Sequence, residues 1–63
     1  MKFTVEQARK FANKTQREMA SLMGVCRDTY RNIEHNPENA TIRQAKDISR
    51  ITSIPLEQIF FTQ

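Results

Sequence analysis

Apolar residues along this chain recur at steps of three and four rather than at every second position. Val5, Ala8, Phe11 and Ala12 form one such stripe, Met19, Ala20 and Met23 a second, Tyr30 and Ile33 a third, and Ile42, Ala45, Ile48 and Ile51 or Thr52 a fourth. That period places each set on one side of an α-helix, and no strand-like alternation competes with it. Three helix starts carry the same mark: Thr4 with Gln7, Thr15 with Glu18, and Thr41 with Gln44 each fit a capping box. In that motif a hydroxyl and a side chain three positions on satisfy orphan amides reciprocally. Helices are therefore predicted over about residues 5–12, 16–23, 27–34 and 42–52. Asn13 and Gly24 suit left-handed helix ends, Val25 plugs the corner after Gly24, and Pro37 blocks continuation past Glu34. Pro55 is tolerated in a first turn, so LEQIFF is read as a short final helix carrying Leu56, Ile59 and Phe60.

The 63 residues make one domain, 1–63, and 38% hydrophobic content spread over amphipathic helices is enough to close a small core. One cysteine and one histidine leave neither an internal disulfide nor a Cys/His zinc site, so no metal and no cofactor are expected. There is no apolar run approaching about eighteen residues and no signal-peptide pattern, which points away from a membrane and towards a cytoplasmic location. No nucleophile with its base, no paired acid and carboxylate and no phosphate loop stand out, so the chain is not expected to be an enzyme. Ten Lys and Arg against seven Asp and Glu give a net charge of +3, which suits a polyanionic partner and equally an ordinary solvated surface.

Placement says more than the total. On the third helix Cys26, Tyr30 and Ile33 project to one side, whereas Arg27, Asp28, Arg31 and Asn32 fall together on the other. Each of these four has a base-edge partner in the major groove: arginine for guanine, asparagine for adenine, aspartate for the cytosine amine. The residue types alone also fit a solvated face on which Asp28 pairs with Arg31 or Asn32 at helical spacing.

The segment TQREMASLMGVCRDTYRNIE, Thr15 to Glu34, resembles the Cro and phage-repressor, or Xre, type of helix-turn-helix. Thr15 and Gln16 open the second helix, Ala20 follows four residues after Gln16, Gly24 and Val25 make the turn, and Ile33 with Glu34 closes the recognition helix. The resemblance extends over about residues 5–60. It implies a compact five-helix, lambda-repressor-like domain with its helix-turn-helix at about 16–34, and a transcription regulator that binds double-stranded DNA. It further implies that Arg27, Asp28, Arg31 and Asn32 read bases, with phosphate as the alternative for Arg31. Gln16 grips the backbone, Thr15 is a phosphate contact or purely a cap, and Arg17, Thr29 and Asn39 are further phosphate candidates. Arg9 and Glu34 are implied as a structural ion pair tying the first helix to the recognition helix.

Some positions depart from the family pattern. Cys26 stands where a serine or threonine cap is usual, and is read as a weak, semi-buried cap or, alternatively, as a redox-sensitive thiol. Ala8 and Phe11 look like a volume exchange within the core. Asn36 and Pro37 replace a glycine after the recognition helix. His35 reads as a helix-end partner, and Met19 and Met23 as core fillers. Leu22 and Phe61 are candidate contacts of a homodimer, since helical spacing points Leu22 outwards and Phe61 lies beyond the last necessary core position. Two other readings on the same fold are an antitoxin-type autoregulator and a protein-interaction module that leaves DNA alone.

Overall fold

The computed structural model describes residues 2–61 and contains four α-helices: α1 (Val5–Phe11), α2 (Gln16–Met23), α3 (Arg27–His35) and α4 (Ile42–Thr52). All three capping boxes are complete. Thr4, Thr15 and Thr41 each accept the amide of the residue three positions on through Oγ1, and Gln7, Glu18 and Gln44 accept the threonine amides in return, all at 2.8–3.1 Å. Each cap contributes about 1 kcal/mol. Helices of 7–11 residues need that help, because segments this short are marginal in water without tertiary packing.

The two turns around α2 are built alike. Asn13 at φ 58° and Gly24 at φ 71° are left-handed, and the amides that follow them reach back, Lys14 to the Arg9 carbonyl at 3.2 Å and Val25 to that of Ala20 at 3.0 Å. This six-to-one bond defines the Schellman end. A Cβ at Gly24 would meet nothing within 4 Å, so glycine is required there by backbone conformation rather than by space.

α2 packs against α3 and α4, and α1 against α4 and α3. Their shared core is Val5, Ala8, Met19, Ala20, Tyr30, Ile33 and Ile48, closed by Ile54 and Ile59 from the segment after α4, with Met23 and Val25 partly buried against it. Thr52 is the buried polar residue of this layer, and its hydroxyl donates to the Ile48 carbonyl at 2.7 Å.

The end of the chain departs from the helical expectation. Among the described residues a fifth α-helix is replaced by a 3₁₀ turn, Leu56–Gln58; a second such turn, Pro37–Asn39, bridges α3 and α4. Ser53 adopts φ 59°, and Pro55 is extended, so the chain leaves α4 in a bend. It then pairs with its own beginning: Phe3 donates to the Gln58 carbonyl and Phe60 to the Phe3 carbonyl, both at 2.7 Å, around a parallel bridge between Phe3 and Ile59. Ile59 is buried, while Leu56 and Phe60 are exposed.

Other apolar expectations are corrected too. Phe11 is 67% exposed, its ring tilted against Phe3 at 5.5 Å, so it makes no volume exchange with Ala8 in the core. On a helical wheel Phe11 lies about 120° from Val5, whereas Arg9 lies within about 40° and takes the inner place. Ile42 is 75% exposed, at the first position of α4 and one turn before burial begins at Ala45. Cys26 is exposed rather than semi-buried. Phe61, conversely, is partly buried against the core and is not a free surface residue.

Candidate nucleic-acid interface

Tyr30 and Ile33 of α3 are buried and the Glu34 side chain nearly so, which anchors the helix along one side and leaves the opposite side open. Arg27, Asp28, Thr29, Arg31 and Asn32 are all exposed. Asp28, Thr29, Arg31 and Asn32, together with His35, line a shallow concavity on this outer face. Arg27 faces the neighbouring one. Among the described residues, Arg27, Asp28 and Arg31 take part in no salt bridge, so the pairing of Asp28 with Arg31 is not formed. Asn32 is different: its Oδ1 accepts a hydrogen bond from Asn36 Nδ2 at 3.1 Å.

The second concavity surrounds the start of α2. Arg9, Lys14, Thr15, Gln16, Arg17 and Arg27 line it, bringing four cationic side chains to a helix N-terminus whose dipole also favours an anion. Lys14 was not singled out from the sequence. The available signal was a basic residue directly before the Thr15 cap, and the Schellman turn at Asn13 brings it into the concavity. Asn39 is exposed in the Pro37–Asn39 turn. Arg43, off the buried stripe of α4, joins Thr41, Gln44 and Asp47 in a cleft against Met23, Gly24 and Val25.

A polar seam runs from the second concavity to α3. Arg9 Nε donates to Glu34 Oε2 at 2.6 Å, Gln16 Nε2 donates to Glu34 Oε1 at 2.9 Å, and Arg9 Nη1 donates to the Lys14 carbonyl at 2.9 Å. The Arg9 and Glu34 side chains are 12% and 6% exposed. One carboxylate thus joins α1, the start of α2 and α3. Burial by itself would raise the Glu34 carboxyl, yet the hydrogen bonds from Gln16 and Arg9, the Arg9 charge and the nearby Tyr30 hydroxyl, which lies outside hydrogen-bond geometry, hold it below its ordinary value. Burial opposes charge on Arg9 as well, and the hydrogen bond and charge of Glu34 raise it nonetheless. Tyr30 is pushed well above its usual range, by burial first and by the nearby Glu34 carboxylate second. Its hydroxyl is buried with no hydrogen-bond partner within 3.5 Å among the described residues.

Cys26 caps α3 in extended conformation without a side-chain hydrogen bond among the described residues. Leu22, 54% exposed, shares a hollow with Lys14, Arg17, Glu18 and Ser21. Phe61, the other candidate dimer contact, is only partly buried against the core.

Among the described residues, no cluster of His, Cys, Asp and Glu is placed to hold a metal, and no helix is long and apolar enough to cross a membrane. A family model described as helix-turn-helix matches residues 5–59. No curated protein and no solved structure matches the chain.

Proposed function

The chain belongs to the Cro and phage-repressor type of helix-turn-helix family, a family of DNA-binding transcription regulators rather than enzymes, and from that premise we propose that it is a cytoplasmic, sequence-specific repressor. The observation that carries this reading is the outer face of α3: four exposed polar side chains of base-reading type on a helix held down by two buried residues. In the proposed complex α3 enters the major groove, where Arg27, Asp28, Arg31 and Asn32 meet base edges. Thr15, Gln16, Arg17 and Lys14 approach one phosphate strand at the start of α2, with Thr29 and Asn39 as further backbone contacts. Repression follows by occluding a promoter.

The molecule measures 28 × 23 × 17 Å, less than one turn of duplex, which is about 34 Å. Two copies on a near-palindrome would double a small set of base contacts. A homodimer on DNA is therefore part of the proposal, with Leu22 retained as a candidate contact.

Selection from a pool of random duplexes, followed by salt titration on the enriched site, tests this reading. The expected result is one enriched motif with half-sites about 34 Å apart. Affinity should fall steeply with salt, as counterion release requires. Enrichment of nothing, or equal affinity for all duplexes, would overturn sequence-specific regulation, and protection of a single unpaired site by one monomer would overturn the dimer.

A further inference from the structure

Asn36 holds Asn32 twice. Its backbone amide donates to the Asn32 carbonyl at 2.8 Å, and its side-chain Nδ2 donates to Asn32 Oδ1 at 3.1 Å. Asn36 is itself well fixed: it ends α3 at φ −132° and ψ 70°, precedes Pro37, and accepts the Asn39 amide through its own carbonyl at 2.9 Å. A carboxamide presents an oxygen with two acceptor lone pairs and a nitrogen with two hydrogens. Asn36 takes one lone pair of Asn32 Oδ1 and leaves both Asn32 Nδ2 hydrogens without a protein partner among the described residues.

We infer that Asn36 is a positioning residue which, by engaging Asn32 Oδ1, sets Asn32 to read an acceptor-bearing base edge in the major groove. This rests on the proposed DNA reading and sharpens it. A free asparagine turns donor and acceptor side by side to adenine, whereas one tethered through a lone pair of its oxygen to Asn36 is oriented to lead with its two Nδ2 hydrogens, which two adjacent acceptors complement. Guanine N7 and O6 are that pair. Asn36 touches no base in this arrangement and acts through Asn32 alone.

The test compares the enriched duplex with versions carrying each of the four base pairs at the position whose preference Asn32→Ala relaxes. Wild type should favour guanine over adenine there by about tenfold, the order expected of a good base contact. Asn36→Ala should shrink that preference several-fold towards adenine. Asn36→Asp should reverse it, because a carboxylate accepts only: Asn32 Nδ2 turns to meet it, and Oδ1 faces the base. Circular dichroism establishes that both variants fold. Should either fail to fold, nuclear Overhauser contacts between the Asn36 side-chain amide protons and Asn32 in the free wild-type chain are expected, and their absence overturns the inference. It is likewise overturned if wild type prefers adenine, or if folded Asn36 variants retain the wild-type preference while Asn32→Ala relaxes it. A wild-type chain with no duplex preference overturns the DNA reading and this inference with it.

Discussion

Within nine residues, α3 presents two surfaces of opposite construction. The inner one carries Tyr30 and Ile33 in the core and Glu34 in a seam with Arg9 and Gln16, every charge matched at close range. The outer one carries Arg27, Asp28 and Arg31 with no salt bridge among the described residues. The inner groups are spent on folding; the outer ones remain available to a partner. Loss of DNA binding in a variant therefore has two separable origins, and only stability measured beside affinity distinguishes them.

The largest separation is expected at Glu34. Removing one partner of a buried pair strands the other's charge at about 3–5 kcal/mol, while a 63-residue domain at about 0.05–0.15 kcal/mol per residue has only some 3–9 kcal/mol in all. Urea denaturation of Glu34→Ala should show a chain close to unfolding, and an unchanged midpoint would mean the seam is not what joins the helices. Acid sharpens the same point. Because the Glu34 carboxyl is lowered from 4.5 in the folded chain, its contribution is complete above that value and is lost as pH falls through the lower folded one. Glu34→Gln should flatten the acid limb of a stability–pH curve, leaving the residual slope of Glu18, whose carboxyl the Thr15 amide also holds down.

On the outer surface the expected pattern is the converse. Arg27→Ala and Asn32→Ala should each weaken specific binding by about 1–3 kcal/mol and relax preference at one base pair. Their melting temperatures should stay near wild type. Affinity losses that merely track charge, with preference intact, would remove direct base reading from these residues. The smallest effect belongs to the boundary between the surfaces: Cys26→Ser supplies the missing cap hydrogen bond, worth about 1 kcal/mol in urea denaturation. No gain would place the weakness of that helix start elsewhere.

Helix positions were legible in the sequence wherever local chemistry decided them. The threonine caps and the left-handed Asn13 and Gly24 are short-range devices, and α1, α2 and α4 begin where the caps put them. Periodicity served less well at the ends. It could not reveal that Ile59 would be drawn into a bridge with Phe3, which depends on residues distant in sequence, whereas the outward place of Phe11 follows from its angle to Val5 on the helical wheel. The same limit applied to the candidate interface: the outer residues of α3 follow from helical spacing, whereas the gathering of Arg9, Lys14, Arg17 and Arg27 around one helix start depends on how α1, α2 and α3 meet. Asn36 was visible only as a departure from a glycine. Its hold on Asn32 required the loop path, which Pro37 and the turn after it determine.

The bridge between Phe3 and Ile59 makes the opening and closing stretches a single latch. Ile59 reaches the core from that latch, and Lys2 lies over the Phe60 ring at 5.5 Å on its outside. Clipping away Lys2 and Phe3 would thus unfasten the opposite terminus as well, exposing Ile59 and the Phe60 amide to solvent exchange, so damage at one extremity is felt at the other without passing through α2 or α3.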